Sequence, residues 1–228
     1  MFEMKLAVLS DFDGTITLND TFRNIAERFA QGDWRAVDDQ YAKGEITLEE
    51  CLRRQGAMIR VSKSQIFDEL DQVTRFRPGF DELTEYCNTN RFPLVLVSAG
   101  LDFVIKHYLA RDGLKDKVEL LAAAARTTPS GIKFGFLKLK DKRSRNFKDD
   151  AVRYYKTKAD TVAYVGDGRW DLHALRAADL RFAIKNSKLS ELCKEQDIQA
   201  TMVSDFREMV ESLKKEMLER DSWQGESE

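Results

Sequence analysis

Residues Leu6-Ala-Val-Leu-Ser-Asp11-Phe-Asp13-Gly-Thr15 join an apolar run to two aspartates spaced i, i+2 and a Gly-Thr turn. Four apolar residues are too few for a buried helix and read as a strand covered on both faces. In open parallel α/β sheets, ligands sit beyond the carboxyl ends of the strands, and both carboxylates fall there. The pattern recurs twice. Leu94-Val-Leu-Val97 ends in Ser98-Ala-Gly100, and Thr161-Val-Ala-Tyr-Val165 ends in Gly166-Asp167-Gly168, with Asp171 following. Three buried strands that each end in polar residues near glycine describe one site assembled from distant segments.

Working outward from Thr15, the character of the chain changes. Residues 18–76 contain no strand pattern and read as amphipathic helices over 21–31, 34–43, 47–59 and 62–73. Thr47-Leu-Glu-Glu50 and Ser62-Lys-Ser-Gln65 carry capping-box spacing at two of their starts. Pro78-Gly79 punctuates the chain, and strands then alternate with helices. Strands are expected over 93–98, 117–125, 161–165, 180–184 and 200–203, and helices over 80–90, 103–111, 147–156, 172–177, 189–196 and 205–220. Pro129-Ser-Gly131 marks a turn between extended pieces. Such alternation predicts an α/β fold: a Rossmann-like parallel sheet flanked by helices, with a small helical cap inserted after strand 1. The expected division is a core of residues 1–16 and 77–220, a cap of 17–76 and a frayed tail of 221–228.

The 228 residues, 43% hydrophobic and 33% charged, suit a soluble protein with a sizeable core. A formal net charge of −2 gives no electrostatic case for nucleic acid. The basic stretch 138–145 reads as a solvated loop. No apolar run approaches the roughly 18 residues of a membrane span, and Met1-Phe-Glu-Met-Lys5 leads into the first strand without a signal-like leader. Three scattered cysteines (51, 87 and 193) form neither a disulfide framework nor a zinc motif, which points to the cytoplasm. Two histidines leave little material for a His-rich metal site or a Ser-His-Asp triad. The chain reads as a monomer or homodimer, with Phe22, Phe29, Trp34 and Tyr41 either internal or pairing two subunits.

The acidic residues permit a definite chemistry. Asp11 can attack phosphorus and form an aspartyl phosphate, while Asp13 serves as acid to the leaving oxygen and then as base to water. Asp167 and Asp171 add like charge at the same edge, and a cation is needed to hold the group together. Oxygen ligands with open positions favour Mg²⁺. Ser98 and the N–H groups that follow it, beginning at Ala99, can hold phosphate oxygens. Lys148 opens a helix and can balance phosphate and Asp11, with Lys142, Arg143 and Arg145 as competitors. The plainer alternatives are an Asp-Gly turn at 13–14, a Ser98 helix cap and an Asp167 N-cap.

Taken together, Asp-Phe-Asp-Gly-Thr at 11–15, the Ser98 strand end, Lys148 and Gly-Asp-Gly-x-x-Asp at 166–171 resemble the haloacid dehalogenase superfamily of phosphohydrolases. The resemblance implies Asp11 as nucleophile and Asp13 as acid/base. It implies phosphate binding by Ser98, Ala99 and Lys148, and Mg²⁺ on Asp11, Asp13 (through its main-chain carbonyl) and Asp167, with Asp171 in support. The helical insertion is similar to that of the phosphoserine-phosphatase-like branch. There, a cap Glu that holds a substrate amine matches Asp20, and a cap Arg that holds a carboxylate falls on Gln55, with Arg53 and Arg54 adjacent. Replacing a bidentate Arg is a large change, and it argues against phosphoserine. The strings at 11–20 and 98–103 look more like the methionine-salvage phosphatases acting on a methylthiopentenyl phosphate, and they also resemble the phosphocholine and phosphoethanolamine phosphatases of the same branch. Trp170 departs from the small polar residue usual at its position. The implied activity is hydrolysis of a small soluble phosphorylated metabolite. The alternatives are a phosphoserine phosphatase proper, or a catalytically weak phosphate-binding or phosphotransfer protein of the same fold.

Overall fold

A computed structural model describes residues 4–225, the last five by backbone alone. Its strands are β1 (Met4–Ser10), β2 (Leu94–Ser98), β3 (Glu119–Ala122), β4 (Ala124–Thr128), β5 (Gly131–Gly135), β6 (Ala159–Gly166), β7 (Leu180–Ile184) and β8 (Thr201–Val203). Six of them form one parallel sheet in the order β3-β2-β1-β6-β7-β8, and β4 and β5 form a separate antiparallel hairpin. The central strands are apolar over residues 6–9, 94–97 and 162–165 because both of their faces are covered there. Leu6 and Val8 of β1 face one core, whereas Ala7 and Leu9 face the other. Helices α5 (Phe80–Thr89), α6 (Asp102–Arg111) and α10 (Phe206–Gly225) fill the first side. Helices α7 (Phe147–Tyr155), α8 (Leu172–Ala177) and α9 (Lys188–Glu195) fill the second.

The chain leaves β1 for β2 and β3, then returns to place β6 on the other side of β1. This reversal opens a crevice at the carboxyl ends of β1 and β6, the usual place for a ligand in such sheets. Register sets both ends level: Ser10 pairs with Val165, and the Asp11 N–H donates to the Val165 carbonyl at 3.0 Å.

Between β1 and β2 lie α1 (Thr21–Phe29), α2 (Trp34–Ala42), α3 (Leu48–Ala57) and α4 (Lys63–Val73). Their starts follow side-chain chemistry. Asp20, Asp33, Thr47 and Ser62 each accept a backbone N–H from the first turn. Ser62 and Gln65 complete a reciprocal capping box. At Thr47 only half of the expected box forms, because Glu50 pairs with Arg54 at 2.6 Å instead. The two connections to this helical block run side by side. Thr17 and Phe76 form an antiparallel bridge, and Leu18 N–H donates to the Arg75 carbonyl at 3.0 Å. Arg77 holds the junction, donating at 2.8 Å to the carbonyls of both Gly14 and Thr15 and at 3.2 Å to that of Ser204.

Two features differ from the sequence reading. The single strand expected over 117–125 is divided: residues 119–122 join the sheet, and the chain then leaves to form the hairpin. The reason is the length of the neighbour. β2 ends at Ser98, which pairs with Ala122, so no parallel partner exists further on. The last helix also extends to Gly225, beyond the Arg220 end anticipated from sequence; residues 226–228 of the expected tail lie outside the described residues. The aromatic residues of the helical block are packed within the chain. Phe22 and Trp34 are buried, Phe29 packs on the first core, and Tyr41 stacks on Trp170. All three cysteines are free and buried. Among the described residues, no helix is long and apolar enough to cross a membrane.

The hairpin seats against α3. A Cβ on Gly56 would lie 2.7 Å from the Ile132 carbonyl oxygen and 2.9 Å from the Phe134 ring. Alanine is the better helix former by about 1 kcal/mol, but overpacking costs roughly 1–3 kcal/mol, so the clash prevails. Gly56→Ala should therefore lower the midpoint of urea unfolding. A raised midpoint would show that the hairpin does not rest on α3.

Candidate active site

At the carboxyl edge of β1, Asp11 and Lys148 meet in a nearly closed setting. Lys148, on the first turn of α7, is 4% exposed, and its Nζ lies 2.7 Å from Asp11 Oδ1 and 2.7 Å from Asp171 Oδ1. Burial works against the ammonium charge, yet the two carboxylates outweigh it and raise the lysine's pKa. Burial first, and then Asp171, drive the Asp11 pKa well above the ordinary carboxylate range, with Lys148 opposing them. Burial and Asp171 push Asp167 up to about 6. Asp11, Asp167 and Asp171 each present an oxygen within 4.8 Å of the others.

Asp171 is fully buried, and both of its oxygens are engaged. Oδ1 accepts from Lys148 and from the Tyr164 hydroxyl, each at 2.7 Å. Oδ2 accepts from the N–H groups of Asp167 and Gly168 at 3.1 and 2.8 Å. Asp171 thereby shapes the loop that carries Asp167. A Cβ on Gly166 would lie 2.4 Å from its Cγ, so that glycine makes room for Asp171 rather than for a ligand. The Thr15 hydroxyl donates to Asp167 Oδ1 at 2.9 Å and fixes the other side of this carboxylate.

The Asp13 carboxylate supplies none of the three clustered oxygens. Its Oδ1 accepts from the Thr21 N–H at 2.9 Å and from the Thr21 hydroxyl, so the first turn of α1 holds it. Burial and the charge of Asp20 push its pKa to about 7, against the Thr21 hydrogen bonds. Ser98 is buried at the end of β2. Its Oγ accepts from the Gly100 N–H at 3.0 Å and leaves its own proton available. It does not cap α6, whose N-cap is Leu101.

Asp11, Asp13, Ser98, Lys148, Asp167 and Asp171 line a cavity of about 360 Å³, with Ala99, Gly168 and Lys188. The wall that comes from the helical block is largely apolar: Phe22, Ala26, Trp34, Leu48 and Leu52. Asp20, Asp38, Arg23 and Arg169 add charge to the wall. Of the residues anticipated for the cap, Asp20 and Gln55 line the cavity, whereas Arg53 and Arg54 are not among its lining residues. Arg53 instead lies over the Phe136 ring at 5.0 Å, and Arg54 bonds Glu50 and Gln40. Gln55 donates to the Trp34 carbonyl at 3.2 Å, tying α3 to α2.

Five residues with supporting contacts have no role in the sequence analysis: Thr15, Thr21, Arg77, Asn146 and Tyr164. Asn146 caps α7 by accepting from the Asp149 N–H at 2.9 Å, and it donates to the Trp170 carbonyl at 3.0 Å. It thus joins the helix of Lys148 to the turn between Asp167 and Asp171. Thr15 and Thr21 stood beside recognised aspartates in sequence, which was the available signal; Asn146 and Arg77 act on backbone atoms of remote segments.

The donor set fits a hard divalent cation. It is all oxygen, and the carboxylates raise one another's pKa, so a single buried ammonium leaves negative charge uncompensated.

The profile of the haloacid dehalogenase-like hydrolases matches residues 8–176. A 2-hydroxy-3-keto-5-methylthiopentenyl-1-phosphate phosphatase of Geobacillus thermodenitrificans is 26% identical over 216 residues, covering 92% of this chain and 96% of that protein. The bifunctional enzyme MtnB/MtnX of Bacillus licheniformis is 28% identical over 227 residues, 97% of this chain, which spans 52% of that longer protein. A phosphoserine phosphatase solved as a phospho-aspartyl intermediate analogue aligns with a TM-score of 0.68 at 18% identity, over 92% of this chain and 99% of that one. That last likeness is one of fold. With its carboxylates and lysine gathered at the edge of a six-stranded parallel sheet, and with the profile matching most of its length, the chain belongs to the haloacid dehalogenase-like hydrolase family.

Proposed function

We propose that this protein is a Mg²⁺-dependent phosphomonoesterase that works through an aspartyl-phosphate intermediate on Asp11. The observation that carries this reading is the buried contact of Lys148 with both Asp11 and Asp171, beside Asp167. Asp11 attacks the phosphorus and the ester oxygen departs. Asp13, with a pKa near 7, gives that oxygen its proton. Asp13 then accepts a proton from water, which attacks the phosphorus of the aspartyl phosphate, releases inorganic phosphate and regenerates Asp11. The Ser98 hydroxyl, the N–H groups beyond it and Lys148 hold the phosphate oxygens. Asp11 and Asp167 would hold Mg²⁺, together with the Asp13 main-chain carbonyl and with Asp171 behind them; the ion supplies neutralisation of phosphate charge.

We further propose a small, uncharged leaving group of the hydroxy-keto-methylthiopentenyl kind. The relative from Geobacillus thermodenitrificans, whose name states this activity, supports it, and so does the apolar wall of Phe22, Ala26, Trp34, Leu48 and Leu52, which suits a thioether tail. Arg53 and Arg54 are not among the lining residues and Gln55 is tied to the Trp34 carbonyl, so α3 supplies no arginine for the carboxylate of a substrate such as phosphoserine; Arg23 and Arg169 are the arginines of the wall. Free cysteines suit the cytoplasm.

Release of phosphate from 4-nitrophenyl phosphate should require Mg²⁺, cease with EDTA and return when Mg²⁺ is restored. Asp11→Asn should reduce turnover to background; undiminished turnover in that variant would remove Asp11 as nucleophile. Across a panel of phosphorylated metabolites ranked by kcat/KM, the methylthiopentenyl phosphate should exceed phosphoserine by more than roughly tenfold, the scale of discrimination a complementary pocket achieves. The reverse ranking would overturn the substrate proposal.

A further inference from the structure

Trp170 occupies the middle of a single 3₁₀ turn, Arg169–Asp171, directly before the buried Asp171. Its backbone is held on both sides. The next residue's carboxylate is fixed by Lys148, Tyr164 and two backbone N–H groups, and Trp170's own carbonyl accepts from Asn146 at 3.0 Å. The indole stacks on Tyr41 of α2, with ring centroids 4.7 Å apart and planes 14° from parallel. Both rings line the cavity that contains Asp11 and Asp13. A wall anchored at the core and braced by the helical block cannot yield without breaking the stack or moving α2. The remaining walls include Phe22, Trp34 and Leu52, and the whole cavity is only about 360 Å³.

We propose that the Trp170–Tyr41 stack is a specificity determinant: it limits the width of the leaving group and selects slender phosphate esters over broad ones. This rests on the phosphomonoesterase reading above and adds to it a rule for which esters the site admits. The effect is steric, and close packing makes such walls discriminating, since a misfit of one methylene already changes kcat/KM about 10- to 200-fold.

The test compares butyl phosphate, a slender ester, with 1-naphthyl phosphate, a broad one, in the parent chain, in Trp170→Ala and in Tyr41→Leu. Taking the ratio of the two esters and comparing it between proteins cancels their different leaving-group reactivities. Both variants should raise the naphthyl-to-butyl ratio of kcat/KM by at least roughly tenfold, chiefly through a lower KM for the naphthyl ester. Tyr41→Leu decides the matter if Trp170→Ala, next to a buried carboxylate, fails to fold. A ratio unchanged within about twofold, or an equal loss on both esters, would overturn the proposal and leave the stack a structural contact only. Calorimetric affinities of butylphosphonate and 1-naphthylphosphonate should show the same shift without any turnover. If the parent binds both phosphonates but hydrolyses neither ester, the phosphatase reading fails and the binding ratio still judges the size filter. If the parent binds neither, both fail.

Discussion

One buried ammonium, that of Lys148 between Asp11 and Asp171, is the constraint around which this structure is arranged. Three carboxylates approach within 4.8 Å of one another at the crevice between β1 and β6. Water would screen such a group, but here burial removes it, and an unpaired buried charge carries a heavy penalty. The protein meets that penalty with one cation and with donors aimed at fixed oxygens: Tyr164, Thr15 and the N–H groups of residues 167 and 168. The donors come from α7, from β6 and from the turns that follow β1 and β6. The charge balance therefore also holds β1, α7 and the loop after β6 together.

The same network explains the placing of the helical block. Asp13 stands one residue beyond Phe12, which is buried in the first core, and its carboxylate receives the N-terminal turn of α1 through Thr21. The block thus begins on the proposed acid itself. Arg77 ties its two connections to the Gly14 and Thr15 carbonyls. At the far side, the stack of Tyr41 on Trp170 joins α2 to the loop of Asp167. The proposed acid, the proposed cation site and the cavity wall are consequently set by the same few contacts, and their separation cannot change unless these contacts break.

Much of this was legible in the sequence, and the reason is topological. A parallel sheet puts the carboxyl ends of its strands on one edge, so Asp11, Ser98 and Asp167 fall near one another once three apolar runs are recognised. The structure brings Lys148 to the same place, and the competing Arg143 turns away to pair with Asp141 at 2.7 Å. The α3 residues were less well read, although the helical phase was available. Leu48, Cys51, Leu52 and Gln55 recur at i, i+3, i+4 and i+7 and are buried together, which leaves Arg53 and Arg54 on the opposite side. Matching by alignment position hid that phase. The break between β3 and β4 was not legible, because the length of β2, and no local residue, dictates it. Nor was the partner of Trp170, since a stack between segments well over a hundred residues apart leaves no mark in spacing. Asn146 and Arg77 bond to distant backbone carbonyls, which every residue possesses.

The central claim is that carboxylates from the ends of β1 and β6 share one divalent ion. Calorimetric titration of Mg²⁺ into the parent chain and into Asp167→Asn tests it without reference to any substrate. The account predicts a single saturable site in the parent that disappears in the variant. Equal Mg²⁺ binding by both proteins, or binding by neither, would contradict it.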